Sequence, residues 1–424
     1  MPKIVVIGGG WAGVAAAVAA AKLGAEVELA ERTDLLLGSG LAGGVMRSNG
    51  RWTAAEELIA MGGGDVVKLS DQVCRHRDIE FPGHKHASLY DVTRIEPAVR
   101  RLLEDYDVKV HFGVRGRDVE LAGDRITRVY LDDGDALQGD AFVDATGTAG
   151  GEVNCAKHGN GCVQCIYRCP AFGDRISIVA RAGVREKAVR RAGGAGLFSG
   201  SCMLHKDSLA PDIADKLNTA GVAIVPIPPH LRPSRPWAQI SCRHYARRQF
   251  AENLIVLDTG HAKLMSPFFP VDTLRQIPGF EEAVYCDPCA GGRGNSVRFL
   301  ALAPRQNTMK VAGVANLFCG GEKAGPLAGH TEAIVTGTLA GHNAVRHALG
   351  RELLEFPRQL ACGEAIAWVG EQAEGEAGIQ KKYSFAGAVL FSHLQQEGLY
   401  TTDRGEVRRR VRAAGMENIL AQKP

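Results

Sequence analysis

The strongest constraint on the fold is the run KIVVIGGGWAG at residues 3–13. A short β-branched segment feeds Gly8, Gly10 and Gly13 in a G-x-G-x-x-G arrangement, and an alanine-rich stretch over residues 12–23 follows. The order strand, tight turn, helix has a physical reason. The first glycine permits the turn, the second lets backbone N–H groups approach a pyrophosphate, and the third lets helix and strand pack closely. The helix N-terminus adds partial positive charge. A second strand over residues 26–30 ends at Glu31, followed by Arg32. An acid there, about 20 residues after the glycines, is placed to accept from a ribose hydroxyl. The unit predicts a nucleotide site.

Two downstream segments favour FAD over NAD. Residues 141–147 read AFVDATG, an apolar strand running into a turn at Thr146 and Gly147. Residues 316–325 read NLFCGGEKAG, in which a strand feeds Gly320, Gly321 and Glu322 toward a small-residue helix over residues 332–346. Three strand-to-glycine turns in this order fit the two-dinucleotide-binding-domain flavoproteins. No second G-x-G-x-x-G is recognisable as an NAD(P)H site, so a pyridine nucleotide is expected as a transient visitor or not at all.

The stretches LRQIPGFEE (274–282) and CGGEKAGPLAGHTEAIVTGTLAGHNAVR (319–346) resemble the glucose-inhibited-division (GidA) flavoproteins. They also resemble, with closer agreement in length, the folate-dependent tRNA uracil-5-methyltransferase (TrmFO) relatives. Weaker echoes continue in LACGEAIAWVG (360–370) and YSFAGAVLFSHL (383–394). The resemblance implies bound FAD, a flavin domain built from both ends of the chain, and a substrate domain inserted between its halves. Where the methyltransferases carry a cysteine before a Ser-Asn pair, this chain reads VMRSNGRW, with Arg47 before Ser48 and Asn49. Methyl transfer to RNA is therefore the lesser reading.

The chain has 424 residues with 45% hydrophobic and 23% charged side chains, a balance that supports a large core. A formal net charge of +3 does not call for nucleic acid as a partner. No apolar stretch reaches the roughly 18 residues of a membrane span, and the N-terminus shows no basic, cleavable leader, so the expected compartment is the cytoplasm. Eleven cysteines in a reducing compartment point to thiolate chemistry or metal rather than disulfides.

Cys155, Cys162, Cys165 and Cys169 follow C-x6-C-x2-C-x3-C-P within the stretch HGNGCVQCIYRCPAFG and its approach. The last three reproduce the tail of a bacterial ferredoxin run, so these four thiolates are the expected ligands of a [4Fe-4S] cluster. Cys286 or Cys289, in YCDPC, could replace Cys155. Zinc is the alternative metal, a C-x-x-C redox pair is a third reading, and unligated thiols are the bland one. Cys74, Cys202, Cys242, Cys319 and Cys362 are isolated and read as packing residues. Arg181, Arg185, Arg190 and Arg191 lie on a helix-like stretch in RAGVREKAVRR, and VPIPPHLRPSRP (225–236) reads as an extended linker. His244, Arg247 and Arg248 read as surface residues. The tail from residue 352 is helix-prone.

The expected architecture is an α/β two-dinucleotide-binding-domain (Rossmann-like, glutathione-reductase-type) FAD fold. Residues 1–150 and 291–350 form the FAD domain, residues 151–290 form an inserted α+β domain carrying the cysteines, and residues 351–424 form a helical C-terminal region. The expected function is an FAD-dependent oxidoreductase, a homo-oligomer passing electrons between flavin and the cluster, with a small-molecule or protein redox partner and no membrane. Two alternatives stand beside it: a folate- and FAD-dependent RNA uracil methyltransferase, and a non-catalytic FAD-binding protein holding structural zinc.

Overall fold

The computed structural model describes residues 1–147, 176–188, 197–198, 201–232, 247–266, 269–286, 296–297 and 301–424. Cys155, Cys162, Cys165, Cys169, Cys242, Cys289, Arg190, Arg191 and His244 lie outside the described residues.

Five parallel strands form the central sheet: β1 (Lys3–Ile7), β2 (Glu26–Glu31), β3 (Lys109–Phe112), β4 (Ala141–Asp144) and β5 (Leu317–Cys319), in the order β3-β2-β1-β4-β5. Strand β1 pairs with β2 on one side (Val6 opposite Leu29) and with β4 on the other (Val6 opposite Val143). Covered on both faces, it reads as a continuous apolar run instead of an alternating one, as parallel strands do. The final strand comes from more than 170 residues beyond β4 along the chain, so the sheet is discontinuous in sequence.

Helix α1 (Trp11–Lys22) crosses the sheet and packs on α3 (His330–Ala348), with α2 (Gly50–Ala60) nearby. The α1–α3 contact is backbone-close. A Cβ at Gly337 would stand 2.1 Å from the Ala12 carbonyl oxygen, and one at Gly341 would stand 2.1 Å from that of Ala16. Glycines four residues apart on one helix thus face alanines four residues apart on the other.

A four-stranded antiparallel sheet, in the order Cys202–Leu204, Ala262–Leu264, Asn253–Asp258, Val222–Pro226, lies in the inserted region. One of its faces carries a core of its own, including Leu204, Leu217, Leu274 and Phe280. It meets the rest of the molecule through Ile255 and Leu257, which pack against Val45, Phe81, Ala87 and Leu89.

Two local expectations are corrected. The stretch carrying Arg181 and Arg185 is not one helix: the helix Ile178–Arg181 stops before Gly183, whose φ of +80° turns the chain, and Lys187–Ala188 pairs as a strand with Ala301–Leu302. The 225–236 linker begins as strand, because Val225 and Pro226 pair with Leu254 and Asn253. Pro226 is tolerated as the last residue of an edge strand. The tail is helical as expected, with α4 (Ala361–Gln372) followed by Glu376–Ile379, Ala388–Gln396 and Arg404–Ala413. Among the described residues no helix is long and apolar enough to cross a membrane.

Candidate nucleotide site

The carboxyl ends of β1, β2, β4 and β5 bring the glycine turns together. Gly8, at φ +102°, bends the chain after β1 so tightly that a Cβ there would meet the Ala145 carbonyl oxygen at 2.5 Å. At Gly13 an added Cβ would lie 1.8 Å from the Gly8 carbonyl oxygen, which no side chain survives. Gly10 differs: its backbone is extended at φ −68°, and a Cβ there would meet nothing within 4 Å. The N-terminus of α1 therefore opens onto free space, with no side-chain cap and no acidic residue in its first turn. Its orphan N–H groups remain available to an anion.

Glu31 ends β2 beside this turn, buried, its carboxylate accepting from Gly9 N–H at 2.7 Å and Thr33 N–H at 3.0 Å. Arg32 follows it, half-buried. At the end of β4, fully buried Asp144 shapes the next turn. It accepts from the Thr146 N–H and hydroxyl at 3.0 and 2.7 Å, and from Val179 N–H at 3.0 Å. Gly147 continues at φ +69°. The third turn docks on both others: Gly320 N–H donates to the Asp144 carbonyl, and a Cβ on Gly321 would lie 3.0 Å from the Ala12 Cβ. Glu322 is half-buried at this turn, and next to it buried Lys323 donates to Glu186 at 2.6 Å, so its charge is neutralised in place.

Several residues of this region carried no signal in the sequence. Leu37 N–H donates to the Gly9 carbonyl, laying the loop after β2 across the glycine turn. The loop is held there by Tyr90, whose hydroxyl donates to the Gly40 carbonyl at 2.6 Å, within a cluster of Trp11, Tyr90 and His330 rings whose centroids lie 5.8–6.1 Å apart. Burial, reinforced by Arg51 and Lys263, pushes the His330 imidazole down to about 3, so it is neutral. Lys263, on the antiparallel sheet, donates to the Ala42 carbonyl and the Ser201 hydroxyl, each at 2.6 Å. Its burial lowers it to about 7. Trp11 and His330 flank glycine-rich stretches that could have flagged them. Tyr90 and Lys263 reach the loop from distant strands, which no local pattern reveals.

Arg47 is fixed by a bidentate pair with Asp71 at 2.8 and 2.6 Å and a further bond to Glu56 at 2.6 Å. The position that departs from the methyltransferase pattern thus holds a buried ion cluster. Of the remaining cysteines, Cys202, Cys319 and Cys362 are buried packing residues as expected, and Cys74 is half-buried. Cys286 stands instead beside two histidines.

Residues 3–151 match the family model of FAD dependent oxidoreductases, and residues 258–352 match that of Glucose inhibited division protein A. The structure superposes on Aquifex aeolicus GidA in its form II crystal over 99% of this chain and 74% of that one, with a TM-score of 0.72 at 17% identity. The form I crystal gives 0.67 at 16% identity, over 99% and 78% of the two chains. The fold is GidA-like. The tRNA uridine 5-carboxymethylaminomethyl modification enzyme MnmG of Chlorobaculum tepidum is 40% identical over 90 residues, which is 21% of this chain and 14% of that enzyme. The enzyme of the same name from Synechocystis is 36% identical over 86 residues, 20% and 13% of the two chains. The GidA-like chain therefore matches about a seventh of the length of these curated relatives. Together the matches show a GidA-like fold whose N-terminal part carries the sequence pattern of FAD dependent oxidoreductases.

Proposed function

We propose that this GidA-like chain binds FAD in the crevice at the carboxyl ends of β1, β4 and β5 and uses it in an oxidoreductase reaction. The observation that carries the reading is the contrast within the first turn. Gly8 and Gly13 are closed against backbone, while Gly10 faces open space at an uncapped helix N-terminus. Gly8, Gly10 and Gly13 would receive the pyrophosphate, Glu31 the adenosine ribose with Arg32 beside it, and Thr146 and Gly147 would flank that end. Gly320, Gly321 and Glu322 would approach the ribityl and flavin end. When bound, a flavin supplies both hydride-pair and single-electron exchange. The chain's own part is to bind, orient and exclude water, and the loop pinned by Tyr90 and Lys263 suits that role.

Cys155, Cys162, Cys165 and Cys169 remain the proposed ligands of a [4Fe-4S] cluster, with zinc as the alternative; a homo-oligomer serving a small-molecule or protein redox partner completes the proposal. Oxygen-free purification with flavin, iron and acid-labile sulfide analysis tests both parts. The proposal expects about one FAD with about four iron and four sulfide per chain. Yellow protein without iron removes the cluster and leaves the flavin reading, whereas protein that neither retains nor takes up FAD overturns the whole.

One observation favours a second reading of the substrate. The 40% identical stretch comes from an enzyme named for tRNA modification. An RNA substrate predicts a gel shift with a bulk tRNA pool, and no shift at low salt rejects it.

A further inference from the structure

Outside the nucleotide crevice, His205, His261 and Cys286 each offer one ligand atom, and the three atoms lie within 4.8 Å of one another. Adjacent strand segments bring them together. Met203 pairs with Lys263 and Leu204 with Ala262, so continuing the register sets His205 against His261. On the other side Leu204 bridges Tyr285, with His205 N–H donating to the Val284 carbonyl and Cys286 N–H to that of Met203. Side chains alternate across a strand. Met203, Lys263, Cys286 and both histidines therefore share one face, while Leu204 points to the sheet's own core on the other. Lys263 on this face reaches the loop of the nucleotide half, and Cys286 packs on the main core, so the cluster looks toward the flavin domain.

The three residues suit a metal by chemistry as well as spacing. Two imidazole nitrogens and a thiol sulfur are donors that zinc-type ions accept. Lys206, next to His205 in the chain, is engaged by Asp258 at 2.6 Å. Tetrahedral sites draw ligand atoms about 3.3–3.8 Å apart given bonds of about 2.0–2.3 Å, so the trio, within 4.8 Å of one another, would close in on the ion.

We propose that His205, His261 and Cys286 form a three-ligand site for a divalent transition ion of the zinc type, with the fourth position open to water or substrate. Three protein ligands plus an open position is the pattern of catalytic rather than structural zinc. On binding, the Cys286 thiol loses its proton to solvent and the thiolate takes the metal. The site stands independently of the flavin reading and of the 155–169 cysteine run.

Cobalt(II) titration of the full-length, chelator-treated protein without oxygen tests it. Wild type is expected to show thiolate-to-cobalt charge transfer with tetrahedral ligand-field bands, including one equivalent that depends on this trio. Cys286→Ser should abolish the charge transfer of that equivalent. His205→Ala, at an exposed position, should weaken it at least about tenfold, or about 1.4 kcal/mol. Replacement of Cys155, Cys162, Cys165 and Cys169 together by serine should leave it in place. The proposal is overturned if His205→Ala binds as many tight equivalents as wild type, or if the folded fourfold variant shows no thiolate–cobalt absorption.

Discussion

At the scale of single residues, two buried groups make opposite claims on pH. His342 lies in α3 fully buried, and neither ring nitrogen has a hydrogen-bond partner among the described residues. Burial pushes it down to about 4 from 6.5. The native state thus binds fewer protons than the unfolded chain below pH 6.5, and stability is lost as pH falls through that window. Glu57 is its mirror. Burial raises its carboxyl from 4.5 to about 7, although the Ala361 and Cys362 N–H groups donate to it. The native state holds a proton that the unfolded chain releases, so stability is lost as pH rises from about 4.5 to about 7. Each effect is on the order of 3 kcal/mol. Chemical denaturation from about pH 4.5 to about pH 7.5 should therefore show His342→Leu losing stability with rising pH relative to wild type, and Glu57→Gln gaining it. Neither feature is legible in the sequence, where both residues look like ordinary surface-helix polar positions. Their burial comes from segments some 300 residues away, in the case of Glu57 the start of α4. The turn glycines were legible because their demand is local: backbone that must turn or touch.

Elements tell the same story with helix packing. Alanine at Gly341 gains about 1 kcal/mol of helix propensity. Its Cβ would, however, meet the Ala16 carbonyl at 2.1 Å, and overpacking at a backbone contact costs about 1–3 kcal/mol. The clash wins, so Gly341→Ala is expected to lower the thermal midpoint by several degrees, and an unchanged midpoint would show that α1 and α3 can separate freely. β1, α1, β4 and α3 are readable because each is an apolar or small-residue run that meets a glycine turn. The stretch around Arg185 is not, because one glycine at positive φ ends the helix and a strand partner more than a hundred residues away takes over. Val225 and Pro226 misread for a related reason: proline signals a linker, but the end of an edge strand needs no further donor. The His205, His261 and Cys286 cluster was invisible as a set, since sheet register alone brings the three together.

For the whole molecule, the parallel sheet is discontinuous in sequence, because its fifth strand arrives late in the chain. The tail then closes on the N-terminal half: Leu420 N–H donates to the Met61 carbonyl, and Thr53 donates to the Thr401 carbonyl at 2.6 Å. Removing residues 398–424 uncovers α2 and should reduce the yield of folded protein and its FAD content together, as read by size-exclusion chromatography and flavin absorbance. The measurement that reaches the central claim most directly is FAD affinity of Gly10→Ala against wild type, with the fold monitored by circular dichroism. An added methyl meets no protein atom there, so the account predicts native stability with affinity lowered at least about tenfold. Native-like protein that keeps wild-type FAD affinity would contradict it, because the open space above the helix N-terminus would then not be where the pyrophosphate sits.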